Sequence, residues 1–280
     1  MPLIETSELE SKINDFKIID CSWHMPESKR NGHEEYNMKK IPNSIFFDLD
    51  KNSNKNTDLP HMLVDQTDWE KIVSEMGIQN NDKIVIYDNS DVISACRCWY
   101  NFIYFGHKPE LIYVLNGGFH KWNIEKRITT DKISLLKQSQ YKVFEKKNLV
   151  KDKKAINENI IKKKFEVIDA RSLERFEGKI KEPREGLGSG SIQNSICIPF
   201  NLLINEDKTF KSKKEIATYF KKYLNNINEI NITFSCGSGV TACVLALAYS
   251  SINDKYLPII YDGSWSEYGK YKKWKDQQKL

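Results

Sequence analysis

The run Ser235-Cys236-Gly237-Ser238-Gly239-Val240-Thr241-Ala242-Cys243 sets a thiol where a strand-like segment meets a helix-like one. Ile232-Thr233-Phe234 precedes it, and Val244-Leu245-Ala246-Leu247-Ala248 follows without a breaker. Two glycines straddling Ser238 permit backbone conformations closed to other residues, so successive N–H groups can turn inward around one point. Such a cradle at a helix N-terminus favours an anion. Cys236 is its first residue, so the sulfur is expected to be held as the nucleophilic thiolate. Two other chemistries fail on residue type. A cysteine enzyme of phosphate esters needs an arginine six residues on to clamp the phosphate, but position 242 is alanine. A GxxxxGK[ST] nucleotide loop needs a lysine that does not follow. Cys243 reads as core, on the buried face of the helix that the loop opens.

The elements that position this loop occur twice. Ile18-Ile19-Asp20-Cys21 resembles Val167-Ile168-Asp169-Ala170, and Ile41-Pro42-Asn43-Ser44-Ile45 resembles Ile192-Gln193-Asn194-Ser195-Ile196. Ile84-Val85-Ile86-Tyr87-Asp88 matches Ile230-Asn231-Ile232-Thr233-Phe234, and Val114–Gly118 matches Ile260–Ser264. Four matches in the same order imply two copies of one domain, each roughly 130 residues long. The boundaries expected are 1–130 for the first copy, 131–147 for a polar linker and 148–280 for the second. Aligning Ser94-Ala95 with Thr241-Ala242 sets Asn89 opposite Cys236. With neither thiol nor glycines there, the first copy is expected to be chemically silent.

Within each copy, β-branched runs alternate with amphipathic stretches. Thr67-Asp68 before Trp69–Met76 and Gly77 reads as cap, helix and terminating glycine. Cys96–Phe105 with Gly106, and Ser212 before Lys213–Tyr223, read as helices too. Lys83–Tyr87 and Leu111–Leu115 are apolar enough for strands covered on both faces. The expectation is an α/β fold whose mostly parallel sheets are flanked by helices, with ligand sites where strands end and helices begin.

Composition narrows the class of partner. The 280 residues are 40% hydrophobic and 29% charged, enough apolar material for a folded core. The formal charge of +5 is mostly lysine spread along the chain, not the basic patch that binds nucleic acid. The longest apolar stretch, Val240–Tyr249, is too short to span a bilayer. No signal or transit pattern opens the sequence, and six cysteines without a CxxC pair suggest neither a disulfide scaffold nor zinc. The expectation is a cytoplasmic protein with no membrane or nucleic-acid partner.

With the duplicated domain, the silent first copy and Cys236-Gly237-Ser238-Gly239-Val240-Thr241-Ala242, the sequence resembles the two-domain rhodanese family. Phe46–Asp50, Asp58–Leu63, Asn116-Gly117-Gly118 and Tyr261–Trp265 match its landmarks over nearly the whole chain. Within the family it looks most like the branch that takes sulfur from 3-mercaptopyruvate. The resemblance implies tandem rhodanese-like domains and a Cys236 persulfide made from that 2-oxo acid thiol, with pyruvate released. The outer sulfur then passes to a small thiol, a thioredoxin-like protein or cyanide, without metal or organic cofactor. It also implies a hydroxyl, Ser238, beside the thiolate, and an acid and an imidazole, Asp50 and His61, supplied by the first domain to orient or activate it. Gly237, Gly239, Val240 and Thr241 form the substrate cradle. Arg175 and Arg184 hold the substrate's carboxylate and carbonyl, as a guanidinium does through parallel hydrogen bonds. Three of only six arginines lie between 171 and 184, and Arg171 is expected to make an ordinary surface ion pair. A thiosulfate sulfurtransferase is the alternative within the class, but it would carry basic residues directly after the cysteine to hold a dianion. A non-catalytic sulfur carrier would need neither the arginines nor the Asp50/His61 pair.

Overall fold

The computed structural model describes residues 2–134, 136–227 and 230–270. It divides into two compact units, each with its own five-stranded parallel sheet.

In the first unit, β1 (Leu3–Ile4), β2 (Lys17–Asp20), β3 (Ser44–Phe46), β4 (Ile84–Tyr87) and β5 (Ile112–Leu115) lie in the order β1-β5-β4-β2-β3. Its helices are α1 (Thr6–Ser11), α2 (Gly32–Met38), α3 (Gln66–Glu75), α4 (Ala95–Tyr104) and α5 (Gly118–Ile124). All four residues of β4 are buried, which explains its unbroken Ile-Val-Ile-Tyr run. Val85 and Tyr87 pack into a core with Leu9, Ile18, Leu115 and Trp122. The cap of α3 lies earlier than expected: Asp65, not Thr67-Asp68, accepts the N–H of Asp68 at 2.8 Å. An Asx side chain at this position satisfies one of the first-turn donors, and Asp68 then sits in the turn where acids are favoured.

The second unit repeats the plan. β6 (Val150–Lys151), β7 (Glu166–Asp169), β8 (Ile196–Cys197), β9 (Ile232–Ser235) and β10 (Ile260–Tyr261) take the equivalent order β6-β10-β9-β7-β8. Its helices are α6 (Lys153–Lys162), α7 (Leu173–Phe176), α8 (Lys213–Lys221), α9 (Ala242–Ile252) and α10 (Ser264–Tyr268). Ser212 and Glu215 close a reciprocal capping box on α8. Helix α9 is buried on nearly every side, as its uniformly apolar Ala-Cys-Val-Leu-Ala-Leu-Ala sequence demands.

The units are not contiguous halves. The first comprises 1–54, 63–147 and 204–210; the second comprises 55–62, 148–203 and 211–280. The stretch 131–147, expected to link them, belongs to the first unit. There Tyr141 N–H donates to Ser74 Oγ at 3.0 Å, Phe144 N–H donates to the Phe105 carbonyl at 3.1 Å, and the Tyr141 ring stacks on His107. Its polar sequence hides this packing because the attachments are scattered hydrogen bonds and the buried side chains of Tyr141 and Val143, too few to make a hydrophobic period.

Candidate active site

Cys236 follows β9 directly, and its loop delivers the chain into α9. The backbone of this loop is held from the side by the first turn of α10. Trp265 N–H donates to the Cys236 carbonyl at 2.9 Å and Ser266 N–H to the Gly237 carbonyl at 2.8 Å. A trans peptide points its C=O and N–H in opposite directions. The N–H groups of Gly237 and Ser238 therefore face away from that turn. Ser264 Oγ accepts the Cys236 N–H at 3.1 Å and donates to the Tyr261 carbonyl at 2.8 Å. Gly239 has φ +77°, the left-handed conformation that the sequence anticipated. Further along, Val240 and Thr241 offer their carbonyls to Cys243 and Val244 in the first turn of α9, and the Cys243 thiol donates to the Gly239 carbonyl at 3.1 Å. The Cys236 side chain itself is 1% exposed.

Gly237 is a glycine for a different reason from the one expected. It is not among the positive-φ residues. A Cβ built on it would meet Arg175 Nη2 at 3.2 Å and Arg184 Nη1 at 3.5 Å. The missing side chain makes room for two guanidinium groups above the residue after the thiol. Arg184 Nη2 also donates to Ser238 Oγ at 3.3 Å, and His61 Nδ1 is joined to the same hydroxyl at 2.9 Å. Ser238 and His61 are both buried, and His61 holds φ +61°, which non-glycine residues seldom adopt. The segment carrying His61 belongs to the second unit, where Asp58 is bound by Lys270 at 2.6 Å. His61 is thus not supplied by the first unit, as the resemblance implied. Asp50 does belong to the first unit; it is exposed and accepts the Trp23 indole N–H at 2.8 Å.

Arg171 is not a surface residue. Its guanidinium is fully buried, bonded to Asp169 Oδ2 at 2.7 Å and to Glu182 Oε1 at 2.8 Å, and it lies 4.4 Å from the Trp265 ring centroid. Burial opposes its charge, but the two carboxylates outweigh burial and hold its pKa above the ordinary arginine value. Glu182, which the sequence reading passed over, also takes Arg175 by two bonds, Nη2 to Oε2 at 2.6 Å and Nε to Oε1 at 3.2 Å. The signal was present in Asp169-Ala170-Arg171 and Glu182-Pro183-Arg184, where acids alternate with arginines.

The first unit carries a different side chain at the equivalent position. Asp20 pairs with Tyr87 across its sheet as Asp169 pairs with Ser235 in the other, so the residue after the strand is Asp88. Phe119 N–H donates to the Asp88 carbonyl just as Trp265 does to that of Cys236. Asp88, and not Asn89, thus occupies the nucleophile's place; the first loop is one residue longer, and alignment from the helix end misses it. Its carboxylate accepts N–H groups from Ser90 at 3.2 Å and from Ala95, at the start of α4, at 2.6 Å. In this unit a carboxyl group stands where the other unit has the thiol.

Residues 5–125 match the family described as the rhodanese-like domain. The chain is 35% identical over 290 residues to thiosulfate/3-mercaptopyruvate sulfurtransferase 2 of Arabidopsis thaliana, covering 95% of this chain and 84% of that protein. It is 33% identical over 254 residues to the 3-mercaptopyruvate sulfurtransferase of Mus musculus, covering 90% and 84%. The crystal structure of SseA from Escherichia coli, described as a 3-mercaptopyruvate sulfotransferase with the rhodanese fold, superposes with a TM-score of 0.83 at 26% identity, over 95% of this chain and 99% of that one. The chain belongs to the rhodanese family, with the tandem-domain architecture of its sulfurtransferases.

Proposed function

We propose that this sulfurtransferase takes sulfur from 3-mercaptopyruvate through a persulfide on Cys236. The single observation that carries the reading is the convergence of Arg175 and Arg184 on Gly237, the residue after the thiol. Two guanidinium forks there suit a 2-oxo acid, whose carboxylate and carbonyl oxygens need several donors in one plane. A basic side chain at position 237, which a thiosulfate enzyme would carry, would have to share this space with two guanidinium groups of the same charge.

The Cys236 thiolate attacks the thiol sulfur of the donor. The S–S bond forms as the C3–S bond breaks, and the electron pair leaves on C3 as the enolate of pyruvate. The arginines stabilise the charge that develops on the enolate oxygen, and a proton taken up at C3 completes pyruvate. Ser238, joined to His61 and Arg184, is positioned to orient the donor's S–H and relay its proton. An acceptor (a small thiol, a thioredoxin-like thiol or cyanide) then removes the outer sulfur and restores the thiolate. None of the six cysteines is joined in a disulfide, in keeping with a reducing, cytoplasmic setting.

The test compares pyruvate release from 3-mercaptopyruvate with sulfite release from thiosulfate, for the wild type and Cys236→Ser. The wild type is expected to favour mercaptopyruvate and the variant to be inactive on both. Faster turnover of thiosulfate would replace the donor assignment with the alternative, and an active Cys236→Ser would remove the persulfide mechanism.

A further inference from the structure

Asp169, Arg171, Glu182 and Arg175 form one ladder of alternating charge. Asp169 chelates Arg171, Arg171 Nη1 donates to Glu182 Oε1 at 2.8 Å, and Glu182 Oε2 accepts Arg175 Nη2 at 2.6 Å. The first three side chains are at most 1% exposed, whereas Arg175 is 20% exposed at the site end. Two anions and two cations sum to zero. The carboxylate of Glu182 also spends two acceptor contacts on one edge of Arg175, through Nε and Nη2. The planar guanidinium is thereby fixed with its opposite edge, Nη1 and the second Nη2 proton, toward Gly237. The inner end is equally constrained: Arg171 Nη2 donates to the Gly190 carbonyl at 2.8 Å, and its guanidinium stacks on Trp265, whose N–H holds the Cys236 carbonyl.

We propose that Glu182 is a positioning residue that decides the charge of donor accepted: it aims Arg175 at the cradle and cancels its charge, so that Arg175 offers directed hydrogen bonds to a monoanionic 2-oxo acid without rewarding a second negative charge. This rests on the donor reading above. A guanidinium without a counter-ion would attract a dianion such as thiosulfate more strongly than a monoanion, because the Coulomb term scales with ligand charge. Paired with Glu182, Arg175 selects by geometry.

Glu182→Gln removes the charge while keeping the shape and one acceptor oxygen, and Arg171 retains Asp169. The expected result is a higher KM for mercaptopyruvate, a smaller change in kcat, and a fall of about tenfold in the ratio of kcat/KM for mercaptopyruvate to that for thiosulfate, the scale expected of one unit charge near the donor. A general loosening of the fold would lower both donors together and leave the ratio in place, which would overturn the proposal. Glu182→Asp keeps the charge on a shorter arm, so it should raise KM while holding the wild-type ratio; a ratio that falls as far as in Glu182→Gln would also overturn it. The wild type gives a reading that needs no variant: pyruvate, a monoanion, should compete with mercaptopyruvate more tightly than sulfate, a dianion. Equal or tighter inhibition by sulfate would count against the compensated Arg175. A wild type that prefers thiosulfate as donor would instead sink the donor reading itself, so the two failures are told apart.

Discussion

Asp88 stands in the first unit where Cys236 stands in the second. Each follows the last residue of the central strand, and each gives its carbonyl to the N–H of an aromatic residue, Phe119 at 2.8 Å and Trp265 at 2.9 Å. In one copy the loop wraps a carboxylate and in the other a thiol. The same backbone plan thus accommodates either polar side chain at this position.

This substitution makes the first unit sensitive to pH. Burial pushes the Asp88 carboxyl up to about 7 from 3.8, with the N–H bonds from Ala95 and Ser90 acting against it. Burial likewise raises Asp20 to about 6, opposed by its bonds from Ser22. Both folded values exceed the unfolded one, so the native state binds more protons between about pH 4 and 7. Stability is therefore greatest at the acid end of that window and falls as pH rises through it. Asp88→Asn, which cannot ionise, should remove most of the slope above pH 6, where Asp20 is already ionised, and leave Asp20's share below it. Urea unfolding at pH 5, 6, 7 and 8 checks this; a variant whose slope matches the wild type would show that Asp88 is ionised throughout.

Much of the fold was legible because it was written twice. The strand ends at Asp20 and Asp169, the apolar β4 and β9, and the capped α8 follow from local patterns of burial and capping. The loop at Cys236 was legible for the same reason, since a thiol, two glycines and an apolar helix stand together in sequence. What was not legible came from contacts between distant residues. Arg171 looked like a surface residue until Asp169, Glu182 and Trp265 closed around it. Gly237 looked like a glycine needed for its backbone conformation, whereas its role is spatial and depends on arginines more than 50 residues earlier. Asn89 was set against Cys236 because helix ends were aligned, and only the strand register revealed the extra residue in the first loop.

The spatial role of Gly237 predicts the effect of filling it. In Gly237→Ala the new methyl would press on Arg175 Nη2 at 3.2 Å, closer than ordinary van der Waals contact, and lie 3.5 Å from Arg184 Nη1. Both neighbours are the far ends of flexible side chains, so the fold should survive with an unfolding midpoint near that of the wild type. Arg175 must give by a few tenths of an ångström, while Arg184 stays at ordinary contact distance, and displacing a group that holds the donor costs catalysis. The expected outcome is a KM for mercaptopyruvate raised several-fold, with a smaller change in kcat. Steady-state kinetics with pyruvate detection decides; an unchanged KM would show that the donor does not use the space beside Gly237.

Ser264 predicts a second separation, between stability and activity. Its hydroxyl accepts the Cys236 N–H at 3.1 Å while its own φ is +46°, in the left-handed region. That conformation costs a non-glycine residue about 1 kcal/mol, so the serine is retained for its oxygen and not for its backbone. Ser264→Ala keeps the backbone strain and leaves a buried N–H without its acceptor, a loss of about 1–3 kcal/mol. Ser264→Gly loses the same acceptor but relieves the strain, so it should unfold at a higher urea concentration than the alanine variant. Both should lose activity to a similar extent, about tenfold or more in kcat/KM, because the peptide before the thiol is released in either case. Urea midpoints and pyruvate release measured side by side test the pair. A glycine variant as active as the wild type would show that the hydroxyl contributes nothing to the placement of Cys236.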